Sequence, residues 1–158
     1  MSGETDLAKL LATMRPEVRE GHYVFVSLTA EPDVPVEALV REEEGVTCVV
    51  RREVADDAGW PYDFVAGWIT LQVHSALESV GLTAAVSRAL ESEHIPSNVL
   101  AGFFHDHLLV PLERLDDATR TLTELSTFHA SGGHAGRSPG AVRRSPGRRS
   151  SDQPTHDH

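Results

Sequence analysis

Cysteine occurs once in the 158 residues, lysine once, and tryptophan and tyrosine twice each. The lone thiol, Cys48, excludes an intrachain disulfide. Its place in the apolar run Val46–Val50 points to a buried structural thiol in a reducing, cytoplasmic setting. No apolar run approaches the ~20 residues that a membrane-spanning helix needs. The opening Met-Ser-Gly-Glu-Thr-Asp has no basic segment leading into an apolar one, so no secretory signal is expected. Nucleophile-elbow, phosphate-loop and cysteine–histidine signatures are missing as well. Ser75 beside His74 is an adjacent pair that strand alternation sets on opposite faces. A catalyst is therefore not expected.

Positive charge is also scarce where it would matter for nucleic acid. The formal net charge of −10 divides unevenly along the chain. Residues 131–158 carry five arginines and two aspartates, net +3, whereas residues 1–130 carry net −13. An acidic body repels phosphate, which argues against DNA or RNA as its partner. The tail from Ser131 is Gly, Ser, Pro and Arg with Val142 as its one large aliphatic residue. Such a segment buries too little apolar surface to offset its chain entropy, so residues 131–158 are expected to be a disordered extension. Its repeated Arg-Ser-Pro-Gly, at 137–140 and 144–147, fits a solvated low-complexity stretch or a contact to RNA or an acidic partner.

What is present is a series of short alternating elements. Leu7, Leu10, Leu11 and Met14 recur at helical spacing ahead of Pro16. Tyr23–Leu28 reads as a strand entered after Gly21. Pro35 is placed to open a short helix through Glu43, with Gly45 ending it. Val46–Val50 reads as a buried strand, and Arg52–Ala58 as a helix stopped by Gly59 and Pro61. Leu115, Ala118, Leu122 and Leu125 form the apolar stripe of a last helix. The two halves echo each other at an offset of 60: Val50-Arg-Arg-Glu53-Val-Ala-Asp56-Asp57-Ala58 aligns with Val110-Pro-Leu-Glu113-Arg-Leu-Asp116-Asp117-Ala118. Both copies fall where a strand hands over to a helix, which favours a degenerate duplication over shared capping chemistry.

The richest stretch runs from Trp68 to Val110. Trp68–Val73 is a strand, and Gly81 opens a helix whose apolar face is Leu82, Ala85, Val86, Ala89 and Leu90. Asn98–Phe104 and Leu108–Val110 then flank a turn at His105-Asp106-His107. Helix N-termini present unpaired N–H groups, and a glycine lets a carboxylate approach them closely. His105 and His107, two apart in a strand, share a face; with His74 they form an alternative divalent-metal set. Trp60, Tyr62 and Trp68 read as core or interface aromatics.

Val80-Gly81-Leu82-Thr83-Ala84-Ala85-Val86, then Leu90, then His94-Ile95-Pro96-Ser97-Asn98-Val99, resembles an ACT domain. The resemblance covers residues 68–118 most strongly and is nearest to the tandem-ACT branch. It extends to small bacterial two-ACT proteins of unassigned role. It implies an α+β fold of two ferredoxin-like (βαββαβ) halves, residues 1–62 and 63–130, with antiparallel sheets and helices on one face. The second half shows no fourth strand, so Tyr23–Leu28 or another strand of the first half is expected to complete its sheet. The resemblance further implies a regulatory, non-catalytic protein that binds an amino acid at an interface between ACT modules and forms a homodimer. Backbone amides of Val80, Gly81, Leu82 and Thr83 would take the ligand carboxylate, Asp106 would face its ammonium, and Ser75 and Glu78 would tune the side-chain pocket. Many ACT loops carry Asp-x-x-Gly; here the run is Glu78-Ser79-Val80-Gly81, which leaves the amino acid unidentified. No cofactor is implied. The alternatives are the histidine metal site and a module that only dimerises or docks a partner.

Overall fold

The computed structural model describes residues 6–73 and 80–133. Six strands form one antiparallel sheet in the order β2-β3-β1-β4-β6-β5. In chain order the elements are α1 (Leu7–Thr13), β1 (Arg15–Leu28), β2 (Ala38–Glu42), β3 (Gly45–Arg51), α2 (Arg52–Ala58), β4 (Val65–Gln72), α3 (Leu82–Ser92), β5 (Asn98–Ala101), β6 (Asp106–Pro111) and α4 (Leu115–Ala130). A 3-10 turn, Leu112–Arg114, leads into α4.

The long strand β1 joins the halves. Its later part, Tyr23–Leu28, pairs with β3, and its earlier part, Arg15–Arg19, pairs with β4. The β4 register shifts between Arg19 and Tyr23. Gly21 lies in that interval at φ 105°, a conformation that costs an L side chain dearly. The first half thus reads β2-β3-β1-β4 and the second β1-β4-β6-β5. A strand of the first half does pair with β4 of the second, through Arg15–Arg19 and again at Tyr23 and Val24. The aligned 60-residue echo maps onto equivalent junctions, β3 into α2 and β6 into the turn before α4.

Two sequence expectations need correction. Residues Pro35–Glu43 are not a helix: Ala38–Glu42 is strand β2, paired with β3 from Ala38↔Val49 to Glu42↔Gly45. Ala-Leu-Val-Arg-Glu has no strong local preference, and pairing with the apolar strand β3 decides it. Asp106 and His107 are not in the turn; the turn is 102–105, closed by the Gly102 N–H donating to His105 O at 2.9 Å, and β6 begins at Asp106.

Alternation gives the sheet two apolar faces. One carries Ile69, Leu71, Leu108 and Val110 against α1, α3 and α4, in a core closed by Leu10, Met14, Leu90 and Leu122. Farther along the same face Val24, Val26, Cys48 and Val50 pack with Ala55 of α2. Cys48 is buried and its thiol is pushed up by burial. The opposite face holds Tyr23, Val49, Ala66, Trp68 and Leu109. Ala38 of β2 and Leu100 of β5 both pack against that cluster although their strands are the two ends of the sheet. The sheet is therefore curled, with its helix-free face concave.

Gly67 sets how closely the helix layer approaches. A Cβ there would meet Leu115 Cδ2, Cδ1 and Cγ at 2.6, 2.7 and 2.9 Å. The whole Leu115 side chain would have to move. Gly67→Ala is expected to destabilise the fold by about 1–3 kcal/mol, the usual range for overpacking, read as a lower midpoint in denaturant.

Candidate functional site

The helix α3 begins where the resemblance places a ligand. Gly81 is its N-cap at φ 101° and ψ −15° and has no side chain with which to cap the first turn. The Gly81 carbonyl accepts from Ala85 N–H at 2.9 Å, so the helix is fully wound from its first residues. No acidic residue stands in the first turn, which leaves the positive end of the helix uncompensated by its own sequence. Leu82 faces the core and Thr83 is exposed. Val80 is 84% exposed, an uncommon position for a large apolar side chain.

Gly81 is approached from one side by α1. A Cβ at Gly81 would lie 2.9 Å from Leu7 Cδ2. Both space and backbone angle therefore favour glycine here. A substitution such as Gly81→Asp would strain the backbone as well as change the charge.

Asp106 is half-buried at the start of β6, in register with Ala101. Burial raises the pKa of its carboxyl from the ordinary aspartate value, and the flanking His107 and His105 offset part of that rise. The 102–105 turn leans on the end of β4: His105 Nδ1 lies 3.3 Å from the Val73 carbonyl oxygen. The start of β6 thus stands at the same end of the sheet from which the chain leaves β4 toward Gly81. Phe103 and Phe104 of this turn are exposed and stack edge-to-face, with ring centroids 5.0 Å apart. Ser75, Glu78 and His74 lie outside the described residues.

The two described histidines of the metal alternative are directed to different partners. His107 Nδ1 is 3.0 Å from Thr70 Oγ1, whereas His105 is drawn to Val73. Among the described residues no group of three His, Cys, Asp or Glu side chains is arranged to hold a metal ion.

A second polar constellation sits on the concave face, and sequence reasoning missed it. Arg19 of β1 is in register with Trp68 of β4. Its guanidinium lies over the Trp68 ring at 4.9 Å and over the Tyr23 ring at 5.5 Å. It donates to Glu37 Oε2 at 2.6 Å, and Arg51 stands 3.9 Å from the other Glu37 oxygen. Arg19, Glu37, Trp68 and His107 border a cavity of about 280 Å³ whose far wall is Leu100 and Ala101. The signal available in the sequence was slight: Arg19 sits in a polar run, and Glu37 follows a proline-rich break.

Similarity to known proteins agrees with this architecture. Residues 2–67 match one family model described as an ACT domain, and residues 64–124 match a second with the same description. No curated protein matches the chain. A solved structure from Vibrio cholerae, described as a protein of unknown function and possible transport protein, is 39% identical. That match covers 76% of this chain and 95% of the other, with a TM-score of 0.70. A protein from Agrobacterium tumefaciens is 19% identical over 72% of this chain and 89% of its own, with a TM-score of 0.56. The regulatory subunit of aspartate kinase from Thermus thermophilus, in a ligand-free form, is 11% identical over 70% of this chain and 95% of its own, with a TM-score of 0.54. At these last two identities the likeness is one of fold. Two consecutive family matches, on a sheet that reads as two interlocked ferredoxin-like units, show that the chain belongs to the ACT-domain family.

Proposed function

We propose that this protein is a non-catalytic regulatory sensor that binds a free amino acid beside Gly81. The observation that carries the reading is the N-terminus of α3 opening on a left-handed glycine, which has no side chain to cap it. Its N–H groups suit a carboxylate. Val80, Gly81, Leu82 and Thr83 supply the amides and Asp106 receives the ammonium, with Ser75 and Glu78, outside the described residues, as the candidates for tuning side-chain preference. ACT modules of regulatory proteins, to which both halves are similar, support a small-molecule ligand.

The ligand is enclosed by a second copy of the chain in a homodimer. Exposed Val80, Phe103 and Phe104 supply apolar surface for that contact. The halves 1–62 and 63–130 act as one unit because β1 pairs into both sheets. The single buried thiol fits a cytoplasmic protein. Among the described residues, no helix is long and apolar enough to cross a membrane.

A thermal-shift screen of the twenty amino acids tests this reading. A ligand at 100 times its dissociation constant adds ~2.7 kcal/mol of stability, a readily measured rise in melting temperature. Silence from all twenty sinks the proposal.

Asp106 gives a second check. Its raised carboxyl means that the folded state holds the proton more tightly than the unfolded chain does. Stability therefore falls as pH rises from the ordinary aspartate value, near 3.9, through the raised one, and the penalty persists at neutral pH. Asp106→Asn is expected to melt higher than the parent at pH 7, with the gain vanishing below about pH 4. The same variant should lose the amino-acid response. A variant that melts lower at pH 7, or that keeps the response, contradicts the assigned role.

A further inference from the structure

The concave face holds an unmade hydrogen bond. Trp68 is 3% exposed, and among the described residues its indole Nε1 is the one buried side-chain nitrogen or oxygen without a partner. Leaving such a donor unpaired costs about 1–3 kcal/mol. Packing alone does not call for it, because a phenylalanine would fill an apolar site without an N–H. The tryptophan borders the cavity that also meets Arg19, Glu37 and His107.

Arg19 and Glu37 are the charged groups lining this cavity, and Arg51 stands beside Glu37 outside the lining. Arg19 and Arg51 both flank Glu37, so the trio carries one unit of net positive charge. Arg19 spends one nitrogen on Glu37, and a guanidinium has five N–H donors. His107 has its Nδ1 against Thr70, which leaves Nε2 turned toward Gly102; a Cβ on that glycine would sit 3.1 Å from it. Burial lowers the His107 pKa, so the ring stays neutral at pH 7 and adds polarity without charge. Donors outnumber acceptors, and the one carboxylate present is already neutralised. Leu100 and Ala101 supply an apolar wall. At about 280 Å³ the space lies just below the ~300–1,000 Å³ of drug-sized sites, which suits a small metabolite.

We propose that this cavity is a second ligand site, on the sheet face opposite the helices, that takes a small organic carboxylate. The Arg19 guanidinium supplies the countercharge and hydrogen-bond donors to the carboxylate, and the Trp68 Nε1–H, enclosed in the empty protein, becomes a further donor when Arg19 turns from the indole to the ligand. Because β1, β4, β6 and the segment before β2 all contribute, occupancy draws the two ends of the curled sheet together. This site does not depend on the one beside Gly81.

Trp68 is its own reporter, since Trp60 is the only other tryptophan. In full-length protein carrying Trp60→Phe, tryptophan fluorescence is followed while acetate, succinate or 2-oxoglutarate is added at constant ionic strength. At least one should give a saturable change that matching chloride does not. Arg19→Gln should weaken that binding at least tenfold, and Arg19→Lys should restore part of it. Trp68→Phe, followed by calorimetry because the reporter is gone, should also weaken it while melting within a few degrees of the parent. Arg19→Gln should leave any amino-acid thermal shift unchanged, so the two sites succeed or fail separately. No saturable response to any of the three acids overturns the proposal. So does an undiminished affinity in a folded Arg19→Gln protein.

Discussion

The architecture depends on one strand, β1, that joins both halves into a single sheet. β1 pairs with β3 through Tyr23–Leu28 on one edge and with β4 through Arg15–Arg19, Tyr23 and Val24 on the other, with a shift between Arg19 and Tyr23. Without Arg15–Arg19 the second half would expose an edge along β4, and without Tyr23–Leu28 the first half would lose the centre of its sheet. Unpaired edges of that kind invite association, so sharing a strand also removes an aggregation hazard. The left-handed Gly21 lets the strand change register while staying in the sheet. Neither half is then an independent folding unit, because each borrows backbone hydrogen bonds from the other.

That shared sheet separates two polar places. The helix side carries Gly81, which opens α3 in a left-handed conformation, and the start of β6 carries Asp106, a carboxylate that burial disfavours. The concave side buries an indole donor without an acceptor among the described residues and lays an arginine over two touching aromatic rings. Both places carry a local energetic cost within an otherwise well-satisfied core. Polar groups held at a cost in this way are where a ligand gains most, since it supplies the missing partner. Curling is what brings Glu37 from ahead of β2 into the same cavity as His107 of β6, across the width of the sheet.

Much of this was readable from residues alone. Gly81, the helix after it and the apolar face Leu82, Val86 and Leu90 stand as expected, because a glycine followed by apolar residues at helical spacing leaves few alternatives. The echo between Val50–Ala58 and Val110–Ala118 marked equivalent strand-to-helix junctions, since repeated topology repeats its capping and burial needs. Less was readable where pairing overrides local preference. Ala38–Glu42 suits a helix as well as a strand, and only β3 beside it decides. Arg15–His22 is polar and contains a proline, so nothing in it announces the strand that closes the second half.

The sequence by itself determined the local events: which segments turn, where helices start, which residues alternate between core and solvent, and that the chain repeats. Those follow from backbone geometry and hydrophobic periodicity over a few residues. Tertiary structure alone decided which strand is shared, which way the sheet curls, and that Arg19, Glu37, Trp68 and His107 meet. These residues are brought together by antiparallel register and sheet curvature. Register and curvature are properties of several strands at once, and no single segment of the chain encodes them.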